Sequence, residues 1–207
     1  MAKRARTLIV GIAGGSGTGK TTVAAHLVGK YGGAHVDGDR ITHEVLKEEK
    51  VVRRIAEEFG PVVVDGHVDR RALGRIVFAD HARLEVLNAI VHPEIMARAA
   101  RAVEHARAQG APMVVVDAAL LLEVPMTFGF DLLLALRCDV DERVRRLLAQ
   151  GNRSEGEIRD RIARQAGMEK HFYKADAVVD TGRDLGAVWA EVDTLVEAAR
   201  SSIEKEN

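Results

Sequence analysis

The chain has 207 residues, 47% of them hydrophobic and 29% charged, with a formal net charge of −1 and one cysteine, Cys138. That balance supplies a buried core, leaves no thiol for an internal disulfide or a thiolate metal cluster, and gives no whole-molecule positive field to hold a nucleic acid. No segment approaches the roughly 20 apolar residues of a membrane span, and the apolar run after Lys3, Arg4 and Arg6 is too short for a signal peptide. The expectation is a cytoplasmic protein with neither nucleic acid nor membrane as partner, a monomer or weak homo-oligomer.

In chain order, Thr7 to Ala13 reads as an apolar strand and Thr21 to Val28 as the start of a helix. Between them Gly14-Gly15-Ser16-Gly17-Thr18-Gly19-Lys20-Thr21 matches the P-loop pattern G-x-x-x-x-G-K-[ST] in its required strand–loop–helix context. The glycines let the backbone wrap an anionic group, so that successive N–H donors and the helix N-terminus converge on phosphate oxygens. The candidate nucleotide-binding residues are Gly15, Ser16, Gly17, Thr18, Gly19, Lys20, Thr21 and Thr22. Lys20 is expected to reach the β- and γ-phosphates of ATP, and the Thr21 hydroxyl to help hold Mg²⁺.

Gly32-Gly33 closes the first helix, and Ala34 to Asp37 reads as a second strand. It runs into Asp37-Gly38-Asp39. Asp39 is placed either to accept the proton of a phosphoryl acceptor or to cap the next helix, and spacing alone leaves both open. About 70 mostly helical residues follow, too many for one crossover. Helices are expected over Val51 to Phe59, ending at Gly60-Pro61, then over Arg70 to Phe78 and Arg83 to Val91, with a turn at Asp65-Gly66. A last one runs from Pro93, suited to a first helical position, to Gly110, burying Ile95, Ala99, Ala102, Val103 and Ala106. His92, before that proline, is a cap or a packed polar group.

Three more strands are expected, over Pro112 to Asp117, Asp131 to Leu136 and Ala177 to Asp180. Asp117 ends a run of three valines, either as a carboxylate near the metal or as a strand-end turn. Arg143, Arg145, Arg146, Arg153, Arg159, Arg161 and Arg164 form either a solvated helix face or a mobile lid over the transferring phosphate. Continuous apolar strands separated by helices indicate a three-layer α/β sandwich around a five-stranded parallel sheet. The expected layout is one domain: a core of residues 7–45, 111–145 and 170–200, a helical insertion at 46–110 and a lid at 146–169. The tail after Ser201 is expected to fray.

The chain resembles the dephospho-coenzyme A kinases, from about Ile9 to Gly182. Beside the P-loop, the resemblance rests on Asp37-Gly38-Asp39 with Ile41 and His43, on Val68-Asp-Arg-Arg-Ala-Leu-Gly-Arg-Ile-Val-Phe78 and on Leu87-Asn-Ala-Ile-Val-His-Pro93. It continues through Asp117-Ala-Ala-Leu-Leu-Leu-Glu123, Arg161-Ile-Ala-Arg-Gln165 and Ala175-Asp-Ala-Val-Val-Asp180. It implies a P-loop kinase with a helical acceptor-binding subdomain and a helical lid. The implied activity is transfer of the ATP γ-phosphate to the ribose 3′-hydroxyl of dephospho-coenzyme A. By that similarity Asp39 is the base, Arg71, His92, Leu120 and Glu123 surround the acceptor, and residues 175–182 pack near the adenine. Four departures stand out. Gly38 replaces an alanine, Ala119 replaces a proline, Thr181 replaces an asparagine beside the adenine, and Gln150 occupies the place of a lid arginine, with Arg153 a candidate substitute. Gly11 to Ser16 is closer to the uridine-kinase version of the loop. The rival readings are therefore a kinase of a nucleoside or other small alcohol, and a weakly catalytic nucleotide-binding regulator.

Overall fold

The computed structural model describes residues 6–119, 121–124, 126–151 and 153–205. The main sheet has five parallel strands: β1 (Leu8–Gly14), β2 (Ala34–Asp37), β5 (Met113–Asp117), β6 (Leu132–Arg137) and β7 (Ala177–Asp180). Their spatial order is β2-β5-β1-β6-β7. Because all five run the same way, their carboxyl ends share one edge, and the registers align Ile12 with Asp117 and Asp37 with Asp117. The chain lays strands on one side of β1 and then crosses to the other, which makes the end of β1 the place where an α/β sheet gathers its ligands. The P-loop lies there.

Alternation along the strands builds the core. Leu8, Val10 and Ile12 share a face with Met113, Val115, Leu132, Leu134 and Leu136, and pack against helices α1 (Lys20–Tyr31) and α8 (Leu185–Lys205) through Val23, Leu27, Val188, Val192 and Val196. Leu27 is fully buried there, so Leu27→Ala should cost about 2–5 kcal/mol through lost burial and the cavity left behind. On the opposite face Ile9, Ala13, Val114, Val116 and Ala135 are buried as well. There β1 carries Gly11 because Leu133 and Phe130 occupy the space of a side chain; a Cβ would lie 2.5 Å from one and 2.9 Å from the other. Burial on both faces accounts for the unbroken apolar strands.

After β6, α6 (Val140–Ala149) and α7 (Glu155–Arg164) form a helical hairpin with a small core of Val144, Ile158 and Ile162. Asp139 caps α6, Gly151 turns the chain at φ 73, and a Ser154–Glu157 capping box starts α7. A 3-10 segment, Ala166–Lys174, leads back to β7.

The chain divides into two compact units, one comprising residues up to Asp37 and from Ala102 onward, the other Gly38–Arg101. The second unit holds α2 (Gly38–Val45), α3 (Glu49–Phe59), a hairpin of β3 (Val63–Val64) and β4 (His67–Val68), α4 (Arg70–Ala79) and most of α5 (His81–Ala108). Its core includes Ile41, Val45, Ile55, Phe59, Leu73 and Val77. Arg98 bridges Glu44 (2.9 Å) and Glu48 (2.7 Å), tying α5 to the end of α2. This unit begins at Gly38 and ends at Arg101, earlier at both ends than the insertion expected at 46–110.

Four details differ from the sequence reading. The helices expected on either side of His92 are one continuous helix, α5, with Pro93 inside it. Proline removes one helical N–H there, a loss that the flanking turns of a 28-residue helix absorb. Of the expected stripe, Ala99, Val103 and Ala106 are buried, whereas Ile95 and Ala102 are half-buried. The Asp65-Gly66 turn, with φ of 50 and 75, closes a hairpin whose two-residue strands are too short to show periodicity. The chain after Ser201 stays helical to Lys205, with Ile203 buried.

Candidate active site

The site begins with an uncapped helix. Gly19, in the left-handed conformation at φ 89, opens α1 with no side-chain cap and no acid in the first turn. The N–H groups there remain available to an anion, and the helix dipole favours one. Gly17, at φ 80, makes the preceding bend, where a Cβ would lie 2.9 Å from the Arg143 carbonyl. The loop folds inward on the Gly15 carbonyl, which accepts from the Thr18 N–H (3.3 Å), the Thr18 hydroxyl (2.9 Å) and Lys20 Nζ (3.4 Å). Lys20 thus lies across the loop, where its ammonium can meet phosphate oxygens. Thr22 is exposed in the first turn of α1.

Two oxygens that could serve a hard cation converge beside it. The Thr21 hydroxyl donates to Asp117 Oδ2 at 3.2 Å, and Asp117, last residue of β5, is only 2% exposed. His35 on the neighbouring β2 places Nε2 3.1 Å from the same carboxylate oxygen. Sequence reasoning passed over His35, although its position two residues before Asp37 on an adjacent strand puts it on the same edge. Among the described residues no group of three or more His, Cys, Asp or Glu gathers as a metal cluster. One hydroxyl and one carboxylate fit the demands of Mg²⁺, which takes one or two protein oxygens and completes its shell with phosphates and water.

The arginines separate by face. Arg143 and Arg146, three residues apart on α6, turn towards the P-loop. Arg143 is 6% exposed and donates through Nε to the Ser16 carbonyl at 2.8 Å. Arg146 donates to Glu142 (2.8 Å) and to the Thr181 carbonyl (2.7 Å), and one nitrogen would lie 3.7 Å from a Cβ on Gly19. Its guanidinium thus stands beside the N-terminus of α1. Arg145 and Arg146 together hold the Glu142 carboxyl down to about 2. Arg145 and Arg153 are exposed, and Arg153 makes no hydrogen bond or ion pair among the described residues. Gln150 is exposed at the C-cap of α6, its N–H donating to the Leu147 carbonyl at 3.2 Å while that of Gly151 donates to the Leu148 carbonyl at 2.9 Å. The structure therefore brings Arg146, rather than Arg153 or Gln150, to the loop. The i, i+3 spacing with Arg143 was the signal available in the sequence.

Thr181, after β7, is 6% exposed, and its hydroxyl lies 2.8 Å from the Thr18 carbonyl and 3.2 Å from that of Arg137. That hydroxyl is engaged in bracing the P-loop from outside. Glu123, exposed, lines with Lys174, Leu122, Met126, Phe128 and Phe130 an open pocket of about 260 Å³, and Lys174 donates to the Leu122 carbonyl at 2.8 Å. Leu120 lies outside the described residues.

In the second unit, Asp39 is exposed in the first turn of α2, two residues beyond the end of β2. Arg71 is exposed in the first turn of α4, whose cap, Asp69, accepts from the Arg71 and Ala72 N–H groups at 2.9 and 3.0 Å. Those two hydrogen bonds lower the Asp69 carboxyl, and they assign part of the Val68-Asp-Arg-Arg match to helix capping. His92 is half-buried within α5.

Residues 8–185 match the family model described as dephospho-CoA kinase, a span that includes every strand of both sheets and the whole P-loop. The chain belongs to the dephospho-CoA kinase family. A dephospho-CoA kinase of Symbiobacterium thermophilum is 39% identical over 194 residues, covering 92% of this chain and 81% of the relative. One from Corynebacterium glutamicum is 35% identical over 95% of this chain and 99% of its own length. Among solved structures, TT1252 from Thermus thermophilus superposes with a TM-score of 0.74 at 31% identity, covering 93% of this chain and 97% of that one. The family's P-loop, its Asp37-Gly38-Asp39 segment and its Asp117 strand all lie within the matched span. No helix among the described residues is long and apolar enough to cross a membrane.

Proposed function

We propose that this dephospho-CoA kinase family member transfers the γ-phosphate of ATP to the ribose 3′-hydroxyl of dephospho-coenzyme A, releasing coenzyme A and ADP. The observation that carries the acceptor assignment is the family match across residues 8–185, which spans the acceptor-side segments as well as the nucleotide loop. The nucleoside-kinase reading rests only on the wording of Gly11 to Ser16, within that same span. The weakened-regulator reading rested on Gln150, and Arg146 offers a cation at the loop without it.

The proposed roles are these. Backbone N–H groups from Gly15 to Thr22 and the α1 N-terminus hold the phosphates, and Lys20 neutralises the β- and γ-oxygens. Thr21 and Asp117 would hold Mg²⁺, which when bound offsets phosphate charge. Arg146 adds a fixed positive charge at the mouth of α1, where charge spreads over the transferring group. Asp39 accepts the proton of the 3′-hydroxyl as its oxygen attacks the γ-phosphorus and the bond to the β-phosphate oxygen breaks. Arg71, His92, Leu120 and Glu123 contact the acceptor, and α6 with α7 acts as the lid.

The test is the product. Purified protein incubated with ATP, Mg²⁺ and dephospho-coenzyme A should yield coenzyme A carrying a new 3′-phosphomonoester resonance in the ³¹P NMR spectrum. ADP formation without that resonance would contradict the acceptor assignment.

A further inference from the structure

Two hydrogen-bond donors and one acceptor meet on the outer side of Gly15. The Ser16 N–H donates to Gln165 Oε1 at 2.8 Å, so the residue that ends α7 holds a backbone donor of the phosphate loop. Arg143 approaches the same place from α6. Its Nε is engaged by the Ser16 carbonyl, but its Nη2 is buried and has no hydrogen-bond partner. A Cβ on Gly15 would lie 2.4 Å from that Nη2 and 3.4 Å from Gln165 Oε1. The missing side chain of Gly15 leaves the two atoms converging on one space.

A buried guanidinium N–H without an acceptor is costly, and burial accordingly pulls the Arg143 guanidinium below its usual range. Nη2 is sealed from solvent, so no ligand oxygen reaches it without a neighbour moving first. Gln165 Oε1 is the acceptor already at hand. As placed, Gln165 Oε1 accepts from the Ser16 N–H and makes no hydrogen bond to Arg143 Nη2, so it serves one of the two donors. A nucleotide phosphate at the loop supplies the second acceptor.

We propose that Gln165 and Arg143 are positioning residues that exchange partners when nucleotide binds: a phosphate oxygen takes the Ser16 N–H, and Gln165 Oε1 moves onto Arg143 Nη2. Every donor is then satisfied, and occupancy of the P-loop is transmitted to the end of α7 through one carboxamide. The absence of a side chain at Gly15 is what leaves the path open. The exchange rests on nucleotide binding at this loop.

The test is the affinity for AMP-PNP with Mg²⁺, measured by calorimetry in four proteins: wild type, Arg143→Lys, Gln165→Met and the double variant. Arg143→Lys keeps the charge and removes the forked Nη2 donor, so a displaced Gln165 has nowhere to go. It should weaken AMP-PNP roughly five-fold or more in the wild-type background and clearly less in the Gln165→Met background, where only the loss of the Nε bond to the Ser16 carbonyl remains. Equal effects in both backgrounds would overturn the exchange and make Arg143 an independent brace. The wild type gives a second readout that needs no variant. With AMP-PNP bound, the Ser16 amide should show a through-hydrogen-bond coupling to ³¹P, and a resolved Ser16 amide without one would overturn the proposal. A wild type that binds no AMP-PNP would instead contradict the nucleotide-binding reading itself.

Discussion

The Thr21 hydroxyl stands 3.2 Å from the Asp117 carboxylate, linking the first turn of α1 to the last residue of β5. One group comes from the P-loop motif and the other from a strand almost a hundred residues later. Both are oxygen donors on the sheet edge where the loop lies. Thr21→Val and Asp117→Asn should each raise the Mg²⁺ concentration for half-maximal turnover by roughly ten-fold or more. An unchanged Mg²⁺ dependence in either variant would remove that residue from the metal site.

Lys20 and Asp39 are assigned different steps, and kinetics can separate them. Lys20→Ala should abolish measurable turnover, because the ammonium that neutralises the β- and γ-phosphates is gone. Asp39→Asn should lower kcat by roughly 10²-fold or more and leave ATP affinity nearly intact. A change confined to KM would make Asp39 a binding group.

The strands and the P-loop were legible because their signals are local. Three valines before Asp117, or glycines at fixed offsets before Lys20, need no knowledge of the rest of the fold. The continuous α5 was not, since Pro93 is a local stop signal that the rest of a long helix overrides. The arginines show the same divide more sharply. Composition marked a run of seven between Arg143 and Arg164, but which of them meets the loop depends on β6 lying beside β1 and delivering α6 next to Gly17. Thr181 was expected beside the adenine from the resemblance, and the structure adds that its hydroxyl is engaged with the Thr18 carbonyl. No sequence signal links residues 163 positions apart.

Arg146, not Arg153, stands at the N-terminus of α1. Arg146→Ala should lower kcat/KM for ATP by roughly ten-fold or more, whereas Arg153→Ala and Gln150→Ala should change it little. Steady-state kinetics of the three variants decides the matter, and a severe Arg153→Ala with a silent Arg146→Ala would reverse the assignment.

Thr181→Val keeps the shape and removes the hydroxyl, leaving the Thr18 carbonyl without that donor. A loss of about 1 kcal/mol in unfolding free energy is expected, read from denaturant midpoints. Retained stability would show that the brace is replaceable.

Glu142 sets an acid-dependent term. Its carboxyl is held down to about 2 by Arg145 and Arg146, against an ordinary value of 4.5. A depressed folded value stabilises the protein above about 4.5, and the benefit fades as pH falls towards 2. The stability difference between wild type and Glu142→Gln should therefore shrink between pH 5 and about pH 2.5 in denaturant titrations. A constant difference would place the Glu142 contribution in packing.

Acceptor-dependent ADP release shows which acceptor's hydroxyl takes the phosphate. With ATP and Mg²⁺ present, dephospho-coenzyme A should drive ADP release while uridine in a parallel reaction does not. Release driven by uridine, or none with dephospho-coenzyme A, would contradict the account.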